Sequence, residues 1–91
     1  MSAESILQEG LKTLSDRAAD RDKPDGERSM RRCVAMFNAG SGHELSERDG
    51  DFFMVCLKMV RAWTTPTGKR DDYVDGSNYF ALAGESVEAE S

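Results

Sequence analysis

One segment is almost wholly apolar, and it restricts the fold of this chain more than any other feature. Between Phe52 and Trp63, ten of twelve residues are apolar, and only Lys58 and Arg61 interrupt the run. A helix that is apolar nearly all round is buried on most of its sides. A domain of this length buries only about 60–65% of the surface of its unfolded chain. The sequence therefore predicts a central helix that also forms a subunit interface, most simply in a homodimer.

Three further segments carry apolar residues at helical spacing, so the chain is predicted to form four helices. The clearest stripe of these three has the spacing i, i+3, i+4 and i+7 and consists of Met30, Cys33, Val34 and Phe37. Breaks that contain Pro, Gly and charged residues separate the four segments. The predicted fold is an all-α, compact, four-helix bundle-like single domain over residues 1–91. Its helices are expected at about 3–18, 27–39, 47–64 and 72–87.

Local signals mark the ends of these helices. Ser46 and Asp49 have the spacing of a capping box at the start of the third helix. The glycines at 40 and 42 are available for a left-handed cap at the end of the second helix. Asp71 or Asp72 is expected to cap the fourth helix, and residues 88–91 are predicted to be a frayed acidic tail.

Composition and charge exclude several classes of protein. Lys and Arg number 12 and Asp and Glu number 17, which gives an acidic protein of net charge −5. A general nucleic-acid binder normally carries a basic surface, so nucleic acid is not an expected partner. No apolar run approaches the roughly 18–20 residues that span a membrane, and the first residues lack the pattern of a signal peptide. We therefore expect a cytoplasmic protein.

The thiols, the histidine and the methionines are interpreted as structural residues. Cys33 and Cys56 lie within apolar helical patterns, so both are expected to be buried as small hydrophobic residues. His43 is the only histidine, and zinc needs about four ligands, so no metal site is predicted. Trp63 is expected to be partly exposed as an interface anchor. Four methionines are expected in the core: Met30, Met36, Met54 and Met59.

Charged pairs on the third and fourth helices form the first candidate site. Lys58 and Arg61 are three residues apart, as are Asp72 and Asp75, and Tyr79 continues the second face. The connection is short, so the two helices are predicted to pack antiparallel, with Arg61 opposite Asp75. Lys58 and Tyr79 are expected one turn further along. The set is either a structural ion-pair lattice or a polar pocket that binds phosphate or a metal, and the sequence leaves both open.

A second candidate is an anion contact at the start of the second helix, where Arg28, Arg31 and Arg32 gather. The positive end of the helix dipole also favours an anion there. Acidic residues are interleaved with these arginines, which favours the alternative of a solvated surface of mixed charge.

Two segments carry a resemblance to a known family. Residues 54–61 read M-x-x-L-K-x-x-R, and Asp72, Asp75 and Tyr79 form a D-x-x-D-x-x-x-Y pattern. Together they resemble small phage and prophage proteins of unknown function, classed as a DUF6378-type domain. The family's Tyr-Gly in the first loop is replaced here by Pro24-Asp25-Gly26. The resemblance implies a bacteriophage or prophage origin and an all-helical fold, and we expect the protein to act in the host cytoplasm.

A looser likeness is to the all-α nucleotide pyrophosphohydrolases of the MazG type. Those proteins hold magnesium against a triphosphate with two acidic pairs on neighbouring helices. Here Asp72 and Asp75 supply one pair, Lys58 and Arg61 stand where the other is needed, and Glu44-x-x-Glu47 is predicted in a loop. One acidic pair that faces two cations is a poor metal site.

Two functions therefore follow from the sequence. The leading hypothesis is a non-enzymatic phage protein without a cofactor, which binds a host or phage protein through its acidic surface. The alternative is a nucleotide-binding or Mg-dependent nucleotide-processing domain, with magnesium as its cofactor. Its polar pocket would be formed by Lys58, Arg61, Asp72, Asp75 and Tyr79.

Overall fold

The chain folds into four helices. The computed structural model describes residues 1–20 and 29–90, in which α1 spans Ala3–Asp20, α2 Ser29–Ser41, α3 Glu47–Ala62 and α4 Arg70–Glu90. No strand occurs in these two ranges. The all-α, bundle-like prediction is confirmed, and the helix ends within the described ranges lie within three residues of the predicted ones. The predicted start of the second helix, at 27, falls outside the described residues.

The α3–α4 hairpin occupies the centre of the molecule. α1 packs on α4 and α2 packs on α3, so the helices contact one another in the order α1–α4–α3–α2 across the described ranges. The apolar side chains buried in these ranges are Val34, Val74 and Ala83. Because only these three apolar side chains are buried in the described ranges, many apolar side chains that were predicted to lie in a core are exposed to solvent.

The start of α3 is fixed by reciprocal hydrogen bonds. The backbone N–H of Asp49 donates to Ser46 Oγ over 3.0 Å, and the backbone N–H of Ser46 donates to Asp49 Oδ2 over 2.9 Å. The predicted capping box is confirmed, and the short aspartate side chain reaches the cap residue. Asp49 and Glu47 also place negative charge at the positive end of the helix dipole.

The capping box predicts a specific acid sensitivity. Hydrogen bonds from the backbone N–H and the hydroxyl of Ser46 lower the pKa of Asp49 below its ordinary value of 3.8. The carboxylate therefore contributes stability above pH 3.8, and that contribution is lost as the pH falls through the lower, folded-state pKa. We expect the free energy of unfolding of Asp49→Asn, measured by urea denaturation, to fall less between neutral and acid pH than that of the wild type. The control Asp71→Asn removes an exposed carboxylate from the first turn of α4. An acid response of Asp49→Asn equal to that of the wild type would contradict the assignment.

The connection between α2 and α3 is organised by one amide side chain. Asn38 Nδ2 donates to the carbonyl of Leu45 over 2.9 Å, and the N–H of Leu45 donates to Asn38 Oδ1 over 3.0 Å. Gly42 ends α2 because its φ of +82° is left-handed. Its N–H donates to the carbonyl of Asn38, which caps the last turn. The helix therefore continues through Gly40 to Ser41, two residues beyond the predicted end.

The α3–α4 turn lies two residues earlier in the chain than the sequence suggested. α3 ends at Ala62, and the backbone N–H and the hydroxyl of Thr64 both donate to the carbonyl of Arg61, one of the last carbonyls that a helix leaves unpaired. α4 begins at Arg70, so Asp71 and Asp72 lie inside its first turn. The prediction that either aspartate caps α4 is wrong. Both acids instead interact favourably with the helix dipole.

Close packing of α2 against α3 depends on Gly50. A Cβ at this position would collide with Met30 Sδ and would lie 2.8 Å from Val34 Cγ2. The absence of a side chain therefore allows Val34 to approach α3, where it is one of the buried apolar residues of the described ranges.

Candidate functional site

Ion pairs join the two central helices. Lys58 Nζ lies 3.2 Å from Asp75 Oδ2, and Arg61 Nε lies 3.7 Å from Asp72 Oδ1. The Lys58 side chain is only 13% exposed, whereas that of Arg61 extends towards solvent. We call these four residues the hairpin charge cluster. Its two cations both have carboxylate partners on α4, so an anionic ligand would have to compete with those partners.

The expected pairing of Arg61 with Asp75 is wrong by about one turn. The connecting segment runs over residues 63–69, which places the middle of the hairpin near residue 66. The sequence interpretation had placed the turn later, because it started α4 at residue 72. Arg61 therefore contacts Asp72, and Lys58 takes the place opposite Asp75.

A third helix contributes to the hairpin charge cluster. Arg17 of α1 places a guanidinium nitrogen 3.9 Å from Asp75 Oδ1, so Asp75 lies between cations of α1 and α3. Arg70 Nε also lies 3.1 Å from Glu9 Oε1, and Asn78 Nδ2 donates to the carbonyl of Gly10 over 3.0 Å. Sequence reasoning missed these three contacts. These contacts join residues that are about 60 or more apart in the chain. A local sequence pattern does not show which helix α1 packs against, so it could not predict them.

Tyr79 lies away from the ion pairs, in the wall of a cavity of about 250 Å³. Glu47 and Asp51 lie one turn apart in the same wall, and Asp51 is 2% exposed. Glu47 is the first residue of α3 and not part of a loop, so the predicted loop position of Glu44-x-x-Glu47 is half wrong. The lining is Ser29, Met30, Cys33, Glu47, Asp51, Met54, Tyr79 and Leu82. Within 1–20 and 29–90, no group of three or more His, Cys, Asp or Glu side chains is placed to hold a metal.

The predicted anion contact at the start of α2 is divided in the structure. Arg31 Nε lies 3.5 Å from Glu47 Oε1 of α3, and Arg32 is exposed. Arg28 lies outside the described residues. The Arg31–Glu47 pair links the starts of α2 and α3. A paired arginine and glutamate are what the alternative interpretation, a surface of mixed charge, expects here.

An uncharged surface lies on α3, at positions away from Lys58 and Arg61, which contact α4. Phe53, Cys56, Val60 and Trp63 follow one another along this surface, flanked by Leu57 and Met59, and all six are exposed. We call these six residues the outer α3 face. The exposed fractions of Phe53 and Trp63 are 73% and 75%. Trp63 is exposed, as expected for an interface anchor.

Several residues predicted to be buried belong to exposed surfaces. Cys33 and Cys56 are both exposed free thiols, so the prediction that they are buried is wrong within this chain. Met36 is 80% exposed and Met59 is also exposed, whereas Met30 and Met54 are half-buried. Helical periodicity identifies an apolar face correctly, but it does not report whether the same chain covers that face.

Comparison with known proteins yields one match. A family model described as "Domain of unknown function (DUF6378)" matches residues 5–87. No curated protein and no solved structure matches the chain. The family resemblance of α3 and α4 is thereby confirmed, while the bacteriophage origin and the likeness to MazG-type proteins stay predictions.

Proposed function

The chain belongs to the DUF6378 family, and we propose that this member is a non-enzymatic, helical protein-binding module. The observation that carries the proposal is the outer α3 face, which exposes six apolar side chains along a single helix. Exposed apolar surface of this kind is typical of a protein–protein contact. Exposed tryptophan and phenylalanine side chains are also the residue types that anchor such contacts.

The hairpin charge cluster supports the same proposal. Lys58 and Arg61 point towards α4, where Asp75 and Asp72 neutralise them. A phosphate would have to displace these carboxylates, and it would meet their negative charge while doing so. The cluster therefore suits the role of holding α3 and α4 in register, which in turn orients the outer α3 face.

The wider setting of this function is also a proposal. The sequence resemblance to small phage and prophage proteins supports a bacteriophage or prophage origin and action in the host cytoplasm, with a host or phage protein as partner. Within the described residues, no helix combines the length and the apolar character that a membrane span requires.

A thermal-melt screen separates this function from nucleotide binding. We expect no shift in Tm with nucleoside or deoxynucleoside triphosphates, with or without magnesium. A ligand present at one hundred times its Kd would stabilise the fold by about 2.7 kcal/mol, which is readily measured. A magnesium-dependent shift that Asp75→Asn abolishes would overturn the proposal in favour of nucleotide binding at the hairpin charge cluster. Asp71→Asn, on the same helix but exposed, is the matched control.

A further inference from the structure

We propose that the partner of the outer α3 face is a second copy of this chain, packed antiparallel against it across a two-fold axis near residue 58. This inference rests on the proposed protein-binding function and identifies the partner. It is carried by the spacing and the charge of the outer α3 face and by the surface that the chain leaves exposed.

The spacing is that of helix-to-helix packing. Phe53, Cys56, Val60 and Trp63 are separated by three, four and three residues, the alternation that places side chains along one seam of a two-helix contact. Leu57 and Met59 flank the seam, at positions that border the contact. α3 has 16 residues and is about 24 Å long. The stripe runs along one side of it, so one partner can contact the whole stripe.

The charge pattern favours a second copy over an unrelated partner. The basic residues of this part of α3, Lys58 and Arg61, contact α4, and the outer α3 face itself carries no charge. A two-fold contact brings identical surfaces together, so a charge on the face would meet its own copy and be repelled. An uncharged face has no such penalty, even though the whole chain has a net charge of −5.

The chain exposes more surface than a folded monomer of its size usually does. A folded monomer of 10.1 kDa exposes about 5,300 Å², whereas this chain exposes 6713 Å². The excess of about 1,400 Å² belongs to the whole chain, and the outer α3 face contributes to it through side chains such as Phe53 and Trp63, which are 73% and 75% exposed. Phe80 of α4 is exposed beside Phe52, with 5.9 Å between ring centroids, and widens the surface next to the outer α3 face.

The ends of α3 determine the direction of packing. Asp49, in its first turn, lies four residues before Phe53 and extends the seam with a carboxylate, whereas Arg61 contacts Asp72 of α4. Parallel packing would bring the two Asp49 carboxylates together, whereas antiparallel packing keeps them at opposite ends of the contact. With the axis at the middle of the stripe, Phe53 faces Trp63 of the second copy and Cys56 faces Val60.

This geometry makes Cys56 a natural probe of the interface. Two residues of helical rise separate Cys56 from the axis, so the Cα atoms of the two Cys56 residues lie about 8 Å apart. We expect a bis-maleimide of similar span to cross-link the wild-type protein into a covalent dimer on a denaturing gel. The link is expected to persist in Cys33→Ser and to disappear in Cys56→Ser. A cross-link that requires Cys33 instead would overturn the assigned face.

Sedimentation equilibrium of the unmodified protein tests the assembly itself. We expect a species of twice 10.1 kDa. Val60→Glu places a charge in the seam and is expected to weaken dimerisation at least about tenfold. Gln8→Glu adds the same charge at an exposed position of α1 and is expected to leave the dimer unchanged. Helical content by circular dichroism identifies a Val60→Glu chain that fails to fold, and in that case the cross-linking result decides.

The outcomes separate this inference from the proposed function. A wild-type chain that stays monomeric and folded at micromolar concentration overturns self-association. A dimer that Val60→Glu and Gln8→Glu affect equally also overturns the α3 contact. Neither result contradicts the proposed protein-binding function. That function is contradicted by a nucleotide-dependent shift in Tm.

Discussion

Asp75→Asn is expected to lower the free energy of unfolding by about 3 kcal/mol, the lower end of the range for breaking a buried ion pair. The substitution keeps the size of the side chain and removes its charge. Lys58, whose side chain is 13% exposed, then loses the carboxylate at 3.2 Å and stays largely buried with its charge. Arg17 loses the same partner, but its side chain reaches solvent. Urea denaturation at one fixed protein concentration provides the measurement.

Two further variants distinguish the ion pair from a general effect of substitution on α4. Asp71→Asn makes the same chemical change at an exposed position of the same helix, and we expect a change within about 0.5 kcal/mol. Adding Lys58→Met to Asp75→Asn removes the unpaired cation and is expected to restore part of the loss. Equal stabilities of Asp75→Asn and Asp71→Asn would show that the ion pair does not stabilise the hairpin.

Gly50→Ala is the second large effect, with an expected cost of about 2 kcal/mol. The new methyl group meets Met30 Sδ and, at 2.8 Å, Val34 Cγ2, so α2 must move away from α3 or Met30 must change rotamer. Either response disturbs the contact that buries Val34. Urea denaturation measures the cost, and the fluorescence of a probe attached to Cys33 on α2, in a chain that also carries Cys56→Ser, reports the movement of that helix.

The matched control for this substitution lies within α4. Gly84 has no heavy atom within 4 Å of an added Cβ, so Gly84→Ala gains helix propensity without a collision. We expect Gly84→Ala to raise stability by up to about 1 kcal/mol. Equal stabilities of Gly50→Ala and Gly84→Ala would contradict the close approach of Met30 and Val34 to Gly50.

Local features of this fold were predictable because their determinants are adjacent in the sequence. The capping box needs only Ser46 and Asp49, three residues apart, and it forms as predicted. The number of helices follows from four apolar periodicities and the breaks between them. The end of α3 was predicted two residues late, because the prediction took Pro66 as the residue that ends the helix, whereas Thr64 already bonds to the carbonyl of Arg61.

Contacts between helices were predicted less well, for geometric reasons. A shift in the assumed centre of the α3–α4 turn moved the partner of Arg61 from Asp72 to Asp75, because each residue of error in a helix start displaces the antiparallel register. The role of Arg17 needs the placement of α1 on α4, which no spacing in the sequence encodes. The exposure of Cys56 and Met36 depends on which surfaces a single chain can cover, and hydrophobic periodicity is silent on that point.

The way in which α1 is attached has a consequence for how the chain responds to salt. Two ion pairs, Glu9–Arg70 and Arg17–Asp75, hold α1 to α4, together with the hydrogen bond from Asn78 to Gly10. Salt shortens the Debye length and weakens partly exposed ion pairs, whereas apolar contacts keep their strength. High ionic strength therefore acts selectively on α1, whose backbone amides should exchange with solvent sooner than those of the central hairpin. Part of the attachment of α1 thus depends on ion pairs that salt screens, whereas the α3–α4 hairpin contains the Lys58–Asp75 pair, which is largely buried and is screened less.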